Sequence, residues 1–481
     1  MKVLWLCNVV LPMAAEQFHV EGSNKEGWIS GLADMVLKNQ RENAIRLAVA
    51  FPVPAHALPK GTDVCRRTVS TGGAVFECYG FLEDVRRAEA YDSALEARMR
   101  KITEEVQPDL VHCFGTEYPH TLAMCRSFPR KERLLVGLQG LCTLYARGYY
   151  ADLPERVIRS VTLRDLLRRD SLRQQKQKFV LRGNMERETV SLAGNVTGRT
   201  SWDRENSKKW NPRANYFYMN ETLRPEFYGP VWDEAGSVPH SIFLSQGDYP
   251  LKGLHYMLCA MPRILAEYPD ARVYVAGNSL VEYGTLKQRL KISAYGKYLR
   301  SLMKENSLED KIVFLGRLNA EQMRDRYLKS SLFVCCSALE NSPNSLGEAM
   351  LLGMPCVSAD VGGISSIFTH GQDGILYEGH RLEGKSESKS ESEQHIKPGS
   401  GEQGNNNKNN MCDNMEERMI FISKALASAI IEMWEQPEQR KAYCRNARNH
   451  AEITHKKEAN YQTMLDIYAK INSMDSVEPV E

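Results

Sequence analysis

The sequence predicts an α/β protein of two lobes, each built on a parallel sheet, with a cleft between them. Three observations lead there. Short β-branched or aromatic runs alternate with helical patterns through the first half of the chain. The alternation stops in an irregular Arg- and Asn-rich stretch and restarts near residue 235. The chain's 481 residues exceed one ordinary core but suit two.

In the first lobe, residues 1–230, strands are expected at Val3 to Cys7, Ile45 to Phe51, Val75 to Tyr79, Leu110 to Phe114 and Leu134 to Leu138. Helical patterns lie between them, as at Trp28 to Leu37 and Ser93 to Val106. Asn8 interrupts the first run, which reads as a strand rather than a secretory signal. The linker is placed at Arg224 to His240, where Pro225, Gly229, Pro230, Gly236 and Pro239 discourage regular structure. The second lobe, residues 235–454, has strands at Ser241 to Leu244, Arg272 to Ala276, Lys311 to Leu315, Leu332 to Cys336, Cys356 to Ala359 and Ile375 to Tyr377. Residues 383–415 are rich in Lys, Ser, Glu, Gly and Asn and read as a disordered insertion. A last helix, residues 455–473, carries Tyr461, Met464, Leu465, Tyr468 and Ile471 at helical spacing and needs an apolar surface, expected on the first lobe.

Composition narrows the function. With 62 basic against 60 acidic residues there is no global field to draw the protein to nucleic acid. Twelve cysteines are scattered without a CxxC pair, which favours reduced core thiols in a cytoplasmic setting and disfavours a zinc site. No run approaches the ~18 apolar residues of a membrane span. Basic residues from Arg156 to Arg182 interleave with Val157, Ile158, Val161, Leu163, Leu166, Leu167 and Leu172. Such a helix either rests on an anionic membrane or is a solvated cover of the lobe, so a peripheral contact at the inner membrane face stays open.

The segment ALENSPNSLGEAMLLGMPCVSADVGG, Ala338 to Gly363, carries the chemistry. It reads strand, loop, helix, strand, with Ser345 as N-cap and Glu348 as its capping-box partner. A helix N-terminus at the carboxyl edge of a parallel strand suits a diphosphate, and Glu340 and Glu348 on either side suit sugar hydroxyls. Together they suggest a nucleotide-sugar.

This segment, with its E-x7-E spacing, resembles the donor-site signature of the retaining glycosyltransferases of family four (glycosyl transferases group 1), whose fold is GT-B: two Rossmann-like lobes facing a central cleft. Leu251-Lys252-Gly253, Val275-Ala276-Gly277-Asn278, Ile312 to Arg317 and Gly371 to Tyr377 match the family at the corresponding places. The resemblance implies a hexosyltransferase-type enzyme of polysaccharide or glycoconjugate assembly. It would move a sugar from a nucleotide-diphosphate sugar to a glycan or lipid-linked glycan acceptor, with no metal or other cofactor. Glu340 would hold the donor sugar and Lys252 the diphosphate as the catalytic pair. Glu348 would take the ribose, and Asn344, Ser345, Leu346, Gly277, Gln246 and Arg317 would complete the donor site. Gly27, in the glycine-bearing loop Glu21 to Trp28, with Gln139 and Arg199, would line the cleft on the acceptor side. Gln246 stands where the family usually has arginine, Gln139 where it often has histidine, and Ser366 where glutamate is frequent. Arg317 or Arg199 could supply the missing cation. An epimerase or phosphorylase of the same fold, or a non-catalytic nucleotide-sugar-binding protein, remains an alternative. A dehydrogenase is disfavoured, because no G-x-G-x-x-G follows the first strand.

Overall fold

A computed structural model describes residues 1–20, 27–40, 42, 44–382 and 407–474. The first half runs β1 (Lys2–Leu6), α1 (Gly27–Lys38), β2 (Arg46–Val53), β3 (Val64–Thr71), β4 (Ala74–Leu82), α2 (Ala94–Val106), β5 (Leu110–Phe114), α3 (Pro119–Ser127) and β6 (Leu134–Gly137). It continues with α4 (Cys142–Arg147), α5 (Glu155–Arg159), α6 (Leu163–Arg168), α7 (Leu172–Leu192), β7 (Asn195–Gly198), α8 (Ser201–Trp210) and β8 (Asn215–Tyr218). These strands form one sheet in the order β3-β4-β2-β1-β5-β6-β7-β8. The second half runs β9 (Val238–Leu244), α9 (Leu254–Glu267), β10 (Arg272–Val275), α10 (Leu286–Lys291), α11 (Ala294–Glu305), β11 (Ile312–Phe314), α12 (Ala320–Leu328) and β12 (Ser330–Cys335). Then come α13 (Asn344–Leu352), β13 (Cys356–Asp360), β14 (Ile375–Glu378), α14 (Asn407–Glu435), α15 (Pro437–Thr454) and α16 (Lys457–Ser473). Its sheet has the order β11-β10-β9-β12-β13-β14.

Both sheets are wound outward from a central first strand, so the carboxyl ends of β1, β5 and β9, β12 open on the cleft. The inner strands read as unbroken apolar runs because helices cover both faces: Val3 to Leu6 and Val111 to Phe114 are essentially inaccessible. The first sheet departs from the parallel expectation at one edge. There β3 pairs antiparallel with β4 through a two-residue Gly72-Gly73 turn, a local hairpin that needs no crossover helix.

Two sequence expectations are corrected. The basic stretch 156–182 is not one helix but α5, α6 and the start of α7. Thr162 and Ser171 each close a capping box with the residue three positions on, and Arg169 takes a left-handed conformation, so the chain restarts twice. Of the insertion expected at 383–415, residues 383–406 lie outside the described residues. The final part, 407–415, belongs to α14, which begins eleven residues before the helix expected from Arg418. Among the described residues no helix is long and apolar enough to cross a membrane.

Helix α16 leaves the second half of the chain and packs beside α1 against the first sheet. Met464, Ile467, Tyr468 and Ile471 share one core with Val3, Trp5 and Ile29. Trp5 Nε1 donates to the Tyr468 hydroxyl at 2.9 Å, and His112 Nδ1 lies 2.7 Å from the same oxygen. Burial pushes the His112 imidazole down to about 3, and His255 and His455 to about 4.

Tyr468→Phe should cost about 1–3 kcal/mol in urea unfolding, because it leaves the Trp5 and His112 ring nitrogens buried without their partner. Stability should also fall as pH drops from 6.5 toward 4, since the unfolded histidines take up protons that the folded ones refuse. His450, raised by its bond to Asp373, offsets part of this. Melting temperature followed across that window checks the sign.

Candidate functional site

The site is built on three loops. The first joins β9 to α9. Pro250 to Lys252 form a short 3-10 turn, and Gly253 follows at φ 71° as the N-cap of α9. A side chain at Gly253 is impossible, because a Cβ there would sit 1.8 Å from the Cys336 carbonyl oxygen at the end of β12. Ala338 N donates to Leu251 O at 2.7 Å and seals the same contact. Lys252 is thereby pressed against the second loop, 336–343, which joins β12 to α13.

Lys252 Nζ lies 2.5 Å from Glu340 Oε1, with side chains 19% and 9% exposed. Ser337 Oγ donates to the same carboxylate oxygen at 2.7 Å. Burial works against the Lys252 charge, but Glu340 overcomes it and holds the ammonium well above its usual range. Gly363 N bonds the Glu340 carbonyl at 3.0 Å, so the Gly-Gly pair after β13 fixes the Glu340 backbone.

The N-terminus of α13 differs from the sequence expectation. Pro343 is the N-cap, with no side-chain cap, and Asn344 opens the helix. Ser345 lies inside the first turn, and Glu348 turns away from it. The reason is electrostatic: a fully buried carboxylate needs a cation more than a backbone amide needs a second cap. Arg224 grips Glu348 with both ends, Nε to Oε1 at 2.6 Å and Nη2 to Oε2 at 2.7 Å. Leu346 N and Gly347 N bond Pro343 O at 3.0 and 3.4 Å, so the amides of Asn344 and Ser345 stand ahead of the first intrahelical bond.

The third loop is the carboxyl edge of the first sheet. Arg199, just after β7, donates to Asn344 Oδ1 at 2.9 Å and pairs with Glu221 Oε2 at 2.8 Å. Asn344 Nδ2 also donates to Glu221 Oε2, at 3.0 Å. Burial raises the Glu221 carboxyl, and Arg199 and Asn344 pull it back. Asn341 is held wholly by this edge: Thr200 Oγ1 donates to its Oδ1 at 2.7 Å, and its Nδ2 donates to Gln139 O at 2.8 Å and Asp203 Oδ2 at 3.1 Å. Ser366 meets Ser201 Oγ at 3.0 Å, so the serine in the usual glutamate position joins the two halves.

The expected residues therefore separate into groups. Glu340 with Lys252, and Glu348, Asn344, Ser345 and Leu346 on α13, gather around one loop-helix junction. Arg199 joins them from the first half. Gln139 turns its amide to Glu221 Oε1 at 3.5 Å instead of standing free. Gly27 opens α1 directly over Arg224, whose Cγ would be 2.6 Å from a Cβ there; residues 21–26 of that loop lie outside the described residues. Gly277 pairs with Gly316 in an isolated bridge beside the second sheet. Gln246 is half-buried in the β9–α9 connection, and Arg317 is exposed. Sequence reasoning missed Glu221, Arg224 and Asn341. Their one available signal was position, since Glu221 to Arg224 follow β8 at the carboxyl edge where strand ends meet a cleft.

Comparison with known proteins bears on the fold and on the second half of the chain. Two solved structures superpose over almost the whole chain. Sucrose-phosphate synthase from Thermosynechococcus elongatus does so with a TM-score of 0.63 at 14% identity, covering 98% of this chain and 99% of that one. The HepE protein of Anabaena, solved with UDP and glucose, gives 0.58 at 14% identity over 98% and 99%. The fold is GT-B. Residues 238–388, which contain the Lys252, Glu340 and α13 loops, match the family model described as Glycosyl transferases group 1. An uncharacterized glycosyltransferase of Methanocaldococcus jannaschii is 31% identical over 124 residues, 26% of this chain and 28% of that protein. The N-acetyl-alpha-D-glucosaminyl L-malate synthase of Bacillus anthracis is 28% identical over 163 residues, 34% and 37% of the two chains. The chain thus spans about a third of the length of these curated relatives.

Arg224→Ala should destabilise the protein by about 3–5 kcal/mol, because it strands Glu348 as a buried unpaired carboxylate. The double variant Arg224→Met with Glu348→Gln should recover much of that loss. Urea unfolding of the two checks it; equal losses in both would mean that the pair holds no charge in the fold.

Proposed function

We propose that the protein is a glycosyltransferase that moves a sugar, with retention, from a nucleotide-diphosphate sugar to a hydroxyl of a glycan or lipid-linked glycan. The observation that carries this is the Lys252–Glu340 pair standing beside the N-terminus of α13. The family match over residues 238–388 and the glycosyltransferase relatives support it. In this reading the donor diphosphate meets the Asn344 and Ser345 amides and the positive end of α13, and Lys252 neutralises the charge that grows on the leaving group. Glu340 accepts hydrogen bonds from the donor sugar's hydroxyls. Glu348 has both oxygens engaged by Arg224, but each keeps a lone-pair direction for a ribose hydroxyl. The residues named supply the charge stabilisation that a metal provides elsewhere, so the reading needs no cofactor.

The acceptor would enter against the first sheet's carboxyl edge. Gln139 and Arg199 act there as positioning residues through Glu221 and Asn344. Polysaccharide or glycoconjugate assembly is the setting proposed. The free buried thiols Cys335, Cys336 and Cys356 suit a reducing, cytoplasmic one. A peripheral contact with the inner membrane face belongs to the same proposal and would bring the enzyme to a lipid-linked acceptor.

The test has two parts. A thermal-shift screen against UDP-, GDP-, ADP- and CMP-sugars should show one nucleotide raising the melting temperature by mass action. Glu340→Gln and Lys252→Met should each lower transfer by about 10²–10³-fold. The double variant should melt near the wild type, because it removes the charge pair as a unit. Full transfer in either single variant would sink the assignment. Donor turnover that needs phosphate, or no hydroxyl acceptor, would point to a phosphorylase or an epimerase instead.

A further inference from the structure

Two short helices from opposite halves of the chain, α6 and α10, pack against each other. The contact is tied by hydrogen bonds from Thr162 Oγ1 to Ile292 O at 2.8 Å and from Ala294 N to Asp165 Oδ2 at 2.9 Å. Each helix turns an apolar stripe outward at helical spacing. On α6, Leu163, Leu166 and Leu167 are 51%, 67% and 75% exposed; on α10, Leu286 and Leu290 are 73% and 49% exposed. Single exposed leucines are ordinary, but five on two neighbouring helices form a patch that calls for a partner.

The charges beside the patch say which partner. Arg168, Arg169, Lys287 and Lys291 are all exposed next to these stripes. Among the described residues the nearby aspartates are committed within the fold. Asp165 is buried and bonded to Thr162 N and Arg164, and Asp170 pairs with Arg164 and Lys178. Glu282, exposed, accepts from the neutral Gln288 amide, so one carboxylate charge stands near the four cations. A leucine stripe ringed by Arg168, Arg169, Lys287 and Lys291, none of them ion-paired among the described residues, matches the interface of an anionic bilayer, with apolar side chains in the acyl boundary and cations among the head groups. A second copy of the chain fits poorly, because a two-fold contact would set this basic patch against itself.

We propose that α6 and α10 form one membrane-docking surface for anionic lipid. This deepens the peripheral-contact part of the proposed function and replaces the single basic helix expected from the sequence. Because the surface draws on both halves of the chain, docking bears on both lobes at once.

The experiment is flotation of the full chain with vesicles of phosphatidylcholine alone and of phosphatidylcholine mixed with phosphatidylglycerol. No donor is present, so its outcome is independent of the transfer reaction. The wild type should float with the anionic vesicles and not with the neutral ones, and added salt should release it. Leu166→Glu with Leu167→Glu, and separately Leu286→Glu, should each lower anionic partitioning by about tenfold or more. Their melting temperatures should stay close to the wild type, since these side chains are mostly exposed. Equal flotation of variants and wild type would overturn the proposal, as would flotation with neutral vesicles alone or none at all. A dimer in light scattering that the leucine variants abolish, without vesicle binding, would assign the patch to a second copy and overturn it equally.

Discussion

Three buried carboxylates in the cleft of this protein are each held by a cation, and these pairs organise it. Glu221, Glu340 and Glu348 have side chains only 5%, 9% and 4% exposed, and each has a charged partner: Arg199, Lys252 and Arg224. A lone carboxylate in such surroundings costs several kcal/mol, and for these three the chain brings in a cation from wherever the fold can reach. For Glu340 that is a turn in the same lobe. For Glu348 it is the segment leaving the first sheet, and for Glu221 it is the strand end at Arg199. The pairs therefore do more than line a cleft. They set how the first sheet's edge meets the β12–α13 loop.

The same path explains the end of the chain. Between α15 and α16, His455 lies where the chain passes from one lobe to the other. Its Nδ1 donates to the Glu221 carbonyl at 2.7 Å, and the Tyr228 hydroxyl donates to its carbonyl at 2.7 Å. Its Nε2 is the nearest atom to a Cβ built on Gly347, one turn into α13. One residue thus joins the return of α16 to the linker and to the helix that would face the diphosphate. Beyond it, α16 is anchored by Tyr468 between Trp5 and His112, deep under the first sheet. The two sheets are connected twice, by residues 219–237 and by 455–456, and both connections touch the site.

Much of the fold was legible in the sequence because buried parallel strands leave a local mark. Runs such as Leu332 to Cys336 are apolar on both faces, and the helices between them repeat every three or four residues. The loop-helix junction carrying Glu340 and Glu348 was legible for the same reason, with Lys252 at a strand-to-helix turn. The edge hairpin was missed because β3 has too mixed a face for a period to show: its burial alternates poorly from Val64 to Thr71. The basic stretch reads as one helix in the sequence because its leucines keep step across Thr162 and Ser171, whose caps reset the chain while hardly disturbing the spacing.

The sequence by itself determined the strands other than β3, β7 and β8, the division between two sheets, and which loop carries the acidic pair, since these follow from periodicity and local turn chemistry. The partner of each charge was decided only by tertiary structure. Ser345 and Glu348 stand three residues apart, as a capping box requires, but Arg224 lies 124 positions from Glu348 and wins the carboxylate. Arg199 and Asn344 are 145 apart and meet at 2.9 Å. Desolvation requires a partner for each buried charge without saying which group will answer, and for these pairs the packing of one lobe on the other makes that choice.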